Sequence, residues 1–277
     1  MNGIVVMRRS LIILVICMVL NLSVPFSVLA RHEGDPEETV IEYIQKPGEQ
    51  IPLETVFIAE DGSEFRLGDL FGERPVVLMF AYYECPTLCG VALEDLGNAV
   101  KNVNFEPGND YNIAVISIDP EETAQTATAA KEKIFQHSEL EASPESWRFL
   151  TGTPENIHTL TEAVGFKYVY DAEMDMYFHP TGVVVATPEG QIARYINGIG
   201  YDPLSLRLAL IEASKRQIGT VTDAVGLFCY QYDDVTGQYS LAVMRLLQIA
   251  GVATAGILGA AIFLLKRREN KTEVDRL

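Results

Sequence analysis

Two thiols, Cys85 and Cys89, stand four positions apart in the segment Ala81-Tyr82-Tyr83-Glu84-Cys85-Pro86-Thr87-Leu88-Cys89-Gly90, directly after the apolar run 76–80. Pro86 suits the first position of a helix, where its fixed φ is already helical and its missing N–H leaves no bond unmade. The pattern therefore predicts a strand, a short turn and a helix that opens at Cys85. A thiol at a helix N-terminus feels the positive end of the dipole, which favours the thiolate, the form that attacks disulfides and binds metals. On one helical face, positions i and i+4 lie roughly 5–6 Å apart at Cβ. Two thiolates at about 2.3 Å from one soft metal fit that separation. A relaxed disulfide wants Cβ atoms near ~3.8 Å and needs local give in the first turn. The spacing permits redox chemistry and suits a soft metal at least as well.

A metal needs further donors, and the chain has four histidines. His32 lies in a polar stretch, and His137 and His158 fall in segments that read as solvated helix. His179 stands apart, in the irregular stretch 175–180 just before an apolar strand. The elements that must position these residues alternate along the chain. Residues 55–58 and 64–67 flank Asp61-Gly62 as a hairpin. The run 75–82 has the near-continuous apolar character of a central strand covered on both faces, and 91–103 continues as a helix. A second buried strand at 111–118 ends at Asp119-Pro120, followed by a helix at 121–137, a short strand at 147–150 and a helix at 154–164 capped by Thr153. Residues 182–187 and 191–195 flank Pro188-Glu189-Gly190 as a hairpin, and 203–216 is the last helix of the domain. This order implies an α/β fold, a thioredoxin-like mixed sheet flanked by helices, with the cysteine pair after the first long strand.

Both ends of the chain carry membrane signals. Residues 1–30 join Arg8-Arg9-Ser10 to an apolar run at 11–20 and to Ser27-Val28-Leu29-Ala30, the pattern of a signal peptide or an N-terminal anchor. Residues 31–50 read as an extended tether, 51–217 as the globular domain and 218–240 as a juxtamembrane linker. Residues 241–265 are long and apolar enough for a transmembrane helix. Lys266-Arg267-Arg268 then put the tail, 266–277, in the cytoplasm by the positive-inside bias. The domain is thus expected on the extracytoplasmic side of a bacterial cell membrane. Thirty-five of the 38 acidic residues but only 13 of the 21 Lys and Arg fall in 31–240, a net charge of −22. That excludes nucleic-acid binding and favours basic protein surfaces or cations. With Cys17 inside the apolar leader, Cys85, Cys89 and Cys229 remain outside, an odd count too small for a disulfide scaffold. The close pair reads as an active site.

Cys85-Pro86-x-x-Cys89 after a hydrophobic strand, Ser117-Ile118-Asp119-Pro120 at the end of the next, and His179 ahead of Val183-Val184-Val185 and Pro188-Glu189-Gly190 together resemble the SCO/SenC family over roughly 50–217. Members are membrane-anchored thioredoxin-fold copper chaperones for cytochrome c oxidase assembly. The resemblance implies that Cys85, Cys89 and His179 are the copper ligands, and that Asp119 has an outer-shell or partner-facing role. Thiolates select Cu(I), while imidazole also tolerates Cu(II). Implied partners are the copper-bearing oxidase subunit and another copper chaperone or a thiol reductase. The implied function is copper delivery to the oxidase's binuclear centre. The alternative is thiol–disulfide exchange that keeps the subunit's cysteines reduced, with Cys85 attacking and Cys89 resolving. The sequence departs from the family in Gly90 after the second cysteine, in Thr87-Leu88 between the two, and in its C-terminal anchor.

Overall fold

Unbroken aliphatic and β-branched runs set the centre of the molecule. In the computed structural model the described residues are 41–85, 89–138, 146–214, 230–233 and 237–274. The expected leader, Cys17, His32 and Cys229 lie outside them. The strands β1 (Val56–Ala59), β2 (Glu64–Arg66), β3 (Val76–Ala81), β4 (Asn112–Ser117), β5 (Trp147–Thr151), β8 (Gly182–Ala186) and β9 (Ile192–Asn197) form one seven-stranded sheet in the order β2-β1-β5-β4-β3-β8-β9. The pairs β3–β4 and β4–β5 are parallel and the others antiparallel, so the sheet is mixed. Every residue of β3 and β8 is buried, as central strands covered on both faces require.

The helices are α1 (Cys89–Asn102), α2 (Ala124–His137), α3 (Pro154–Ala163), α4 (Pro203–Ala213) and α5 (Val243–Val274). Thr153 caps α3 as expected, its hydroxyl accepting from the Asn156 N–H at 3.3 Å. Helix α1 packs between α2 and α4, α2 covers β5 and β1, and α4 covers β8 and β9. At the N-terminal side, Tyr43 bridges to Phe166 and Gln50 to Gln191, so the described part of the expected tether lies along the domain. Gly165 permits that approach: at φ 67° it is left-handed, and a Cβ there would meet the Ile44 carbonyl oxygen at 2.0 Å.

Two small hairpins fall where no strand was read from the sequence. One joins β6 (Val169–Asp171) to β7 (Met176–Phe178), leading straight into His179. Its strands have three residues each and are mostly half-buried, too short for an alternating pattern to declare itself. The turn is instead built by acids: Asp171 Oδ1 accepts the N–H groups of Glu173 and Met174, and Asp175 takes the left-handed φ of 52°. The other joins β10 (Tyr230–Asp233) to β11 (Gln238–Leu241), inside the stretch read as a linker. Beyond it α5 contains Leu247–Leu264, exposed along its length and apolar enough to cross a membrane.

Candidate metal centre

The site forms at the C-terminal ends of the parallel strands, where open α/β sheets gather their chemistry. Strand β3 ends at Ala81, and the chain turns through Tyr83 and Glu84 before Cys85. The helix expected after Cys85 is present from Cys89 onward among the described residues. Cys85 is outside any helix, and the described helix starts at Cys89, with 86–88 outside the described residues.

The Cys85 loop is held from below. The Tyr83 hydroxyl donates to the carbonyls of Leu150 (2.8 Å) and Val115 (3.0 Å), fixing the loop to β5 and β4. The Glu84 N–H donates to Glu122 Oε1 at 2.8 Å, and the other Glu122 oxygen accepts from the Ser117 hydroxyl at 2.5 Å. Glu122 is buried, which pushes its carboxyl up from the usual range, while these two bonds pull it back. Sequence reading missed Glu122. Its one signal is its place just beyond the end of β4. Asp119 is half-buried at the same end, and its Oδ1 accepts the Glu121 N–H at 2.9 Å, a bond within its own loop.

His179 arrives from the opposite direction. Its ring packs against Phe166 (centroids 5.9 Å) and edge-on against Tyr82 (6.0 Å). Nδ1 lies 2.9 Å from the Pro180 carbonyl oxygen. A carbonyl only accepts, so Nδ1 carries the proton and the neutral ring presents a lone pair at Nε2. That atom is 3.1 Å from Cys89 Sγ. Burial lowers the His179 pKa, only partly offset by the Pro180 bond, and burial pushes the Cys89 thiol up, reinforced by Cys85. Both groups are neutral, a thiol donating to imidazole, with 90 positions of sequence between them.

The fold thus brings Cys89 and His179 into contact and sets Cys85 beside them. Cys85 and Cys89 are thiols rather than a disulfide, with Cys85 half-buried and Cys89 buried. Among the described residues no three His, Cys, Asp or Glu side chains converge closely enough to hold an ion as they stand. The donor types fit a soft cation: two sulfurs and an imidazole with its second nitrogen fixed by a carbonyl. His137 and His158 are exposed on helices, as expected. Met174 is exposed at the β6–β7 turn and Met176 is half-buried. A groove of about 480 Å³, lined by Tyr83, Glu84, Gln125, Thr126, Ala129 and Lys133 among others, opens beside the Cys85 loop.

A family model described as SCO1/SenC matches residues 46–206. Two solved structures from Aquifex aeolicus VF5 share the fold at 25% identity. One, assigned provisionally as an electron transfer protein, has a TM-score of 0.55 and covers 62% of this chain and 96% of its own. The second, assigned in the same way to electron transport, has a TM-score of 0.51 with 61% and 99% covered. Arabidopsis thaliana ScoI with copper bound is 21% identical, at a TM-score of 0.48, over 58% of this chain and 96% of that one. Among curated proteins none matches the sequence significantly.

Proposed function

The chain belongs to the SCO1/SenC family, and we propose that it is a membrane-anchored copper chaperone that delivers copper to the binuclear centre of a cytochrome c oxidase subunit. The observation that carries the reading is the 3.1 Å approach of His179 Nε2 to Cys89 Sγ, with Cys85 on the adjoining loop. Copper is the cargo, and Cys85, Cys89 and His179 are its ligands. Two thiolates and one imidazole favour Cu(I) and tolerate Cu(II). Loading displaces the protons of the two thiols, so uptake releases protons and strengthens as pH rises. Cys85, the more exposed sulfur, is the natural first contact for an incoming ion and the last for a leaving one. Ligand exchange between sulfurs moves the ion and requires no bond-making turnover.

In this reading α5 anchors the domain to a bacterial cell membrane with its basic end in the cytoplasm. The domain's strong negative charge draws a basic face of the oxidase subunit, and Asp119 faces that partner. Another copper chaperone supplies the ion, or a thiol reductase restores the dithiol. The second reading is disulfide reduction, favoured by the contrast between a half-buried Cys85 and a buried Cys89. The Cys85 thiolate attacks a target disulfide, one target thiol leaves, and Cys89 displaces the other, leaving a Cys85–Cys89 disulfide that an external thiol must reduce.

The test uses the full chain in detergent, loaded anaerobically with Cu(I), comparing wild type with His179→Ala. Loss of a ligand should weaken binding by more than the roughly 10–100-fold that loss of an outer-shell partner costs, with disulfide reduction retained. Unchanged affinity with reductase activity intact would leave reduction as the function.

A further inference from the structure

Glu122 is the one acidic or basic side chain among the described residues that is buried; the other buried polar groups there are serines and threonines. It lies just past β4, beside the exposed Glu121, and among the described residues no cation pairs with it. An unpaired buried acid is a poor choice for stability alone. Breaches of that rule are expected where a site needs them. What this acid supplies is two directed bonds. Oε1 accepts the N–H of Glu84, the residue before Cys85, at 2.8 Å, and Oε2 accepts the Ser117 hydroxyl at 2.5 Å. Ser117 in turn accepts the Asp119 N–H at 3.0 Å. One side chain thus joins the backbone that carries Cys85 to the end of β4 and the loop after it.

We propose that Glu122 is the positioning residue of the site, acting through the Glu84 backbone to keep the Cys85 thiol beside Cys89 for an arriving soft metal ion. The role deepens the copper-site reading above and rests on it. Cys89 is placed independently, by α1 and by its 3.1 Å contact with His179. Cys85 is on a loop, and ordering a loop when the ion arrives subtracts from affinity. A loop tied down beforehand avoids that loss. Its sulfur is already near enough to Cys89 to reinforce the upward push on that thiol.

Glu122→Ala removes both bonds, whereas Glu122→Gln keeps a carbonyl oxygen that accepts the Glu84 N–H. Glu212→Ala, whose lost partners are Arg194 and Tyr239, is the control for general destabilisation. In the full chain in detergent, Cu(I) affinity is read by competition with a chromophoric chelator. Amide exchange of the peptide 82–85 is read by mass spectrometry in the copper-free, reduced protein. Glu122→Ala should bind Cu(I) about 10–100-fold more weakly, the usual loss for an outer-shell partner. Its exchange at 82–85 should rise by about tenfold or more. Glu122→Gln should restore both, and Glu212→Ala should match wild type in both. Faster exchange with wild-type Cu(I) affinity overturns the proposal, because the tie then has no bearing on the ion. Unchanged exchange in Glu122→Ala overturns it whatever copper does, and so does an equal loss of affinity in Glu212→Ala. If the wild type takes up no Cu(I), the copper reading is removed, and faster exchange in Glu122→Ala still keeps the holding role. Should Glu122→Ala lose its fold, Glu122→Asp keeps the carboxylate and shortens its reach by one methylene. Cu(I) affinity must then fall by about tenfold or more, and wild-type affinity refutes the assignment.

Discussion

Cys89 and His179 show how two neutral groups can be a prepared site. Burial alone raises a thiol and lowers an imidazole, so each is driven to its uncharged form, and the uncharged forms are complementary as S–H donor and Nε2 acceptor. The Pro180 carbonyl sets which nitrogen is bare. Cys85 has a different environment, half-buried on a loop. Reactivity should follow that difference. In the copper-free reduced protein, Cys85 is expected to alkylate at least about tenfold faster than Cys89, because burial holds Cys89 as the thiol and restricts access to it. Peptide mass spectrometry after timed iodoacetamide quenching checks this. Equal rates at the two sulfurs would mean that Cys89 opens to solvent far more often than its burial implies.

At the level of elements, the site depends on the ends of β3 and β4 being tied together, and Glu122 is the tie. Its folded pKa is raised by burial, so its charged form destabilises the fold relative to the unfolded chain. The contribution of a raised carboxyl is fully present below the unfolded value near 4.5 and is lost as pH rises through the folded value. Glu122→Gln cannot ionise. Wild-type stability should therefore decline relative to Glu122→Gln as pH rises from about 4.5 toward neutrality, seen as a shrinking or reversing difference in Tm. A pH-independent difference would show that the carboxylate is as well solvated folded as unfolded. Much of this framework was legible in the sequence. The long strands β3 and β4 announce themselves through unbroken apolar runs, and the Cys and His segments hold the two residues that meet, Cys89 and His179. Glu122 was not legible, because a buried acid is spelled like the exposed Glu121 beside it and only the partners Ser117 and Glu84 distinguish them.

For the whole molecule, the described chain just ahead of the apolar helix α5 is the β10–β11 hairpin, fastened to the domain. Tyr239 is nearly buried, its hydroxyl donates to Glu212 Oε2 at 2.6 Å, and its N–H donates to the Ser205 hydroxyl at 3.3 Å. Arg194 pairs with Glu212 and lies 5.0 Å from the centre of the Tyr232 ring. Gly237 closes the turn at φ 64°, where a Cβ would meet the Asn197 nitrogen at 2.6 Å. Ala242 is buried and α5 begins at Val243, so a single residue separates the hairpin from the apolar helix. The 18 residues of Leu247–Leu264 span about 27 Å as a helix, close to the hydrocarbon thickness of a bilayer. Glu212 is the shared acceptor in this arrangement, and its removal leaves both Arg194 and Tyr239 without that partner. Glu212→Ala, studied as the full chain in detergent, should raise amide exchange in Gln238–Leu241 by about tenfold or more, as expected for losing roughly 1.4 kcal/mol of local stability. Exchange in β3 and β4 should stay at the wild-type rate, because neither strand is a sheet neighbour of β9 or β11. If exchange in β11 does not change, the hairpin is held by its own cross-strand pairs and not by the domain. If it rises equally everywhere, Glu212 supports the whole fold and not the junction alone.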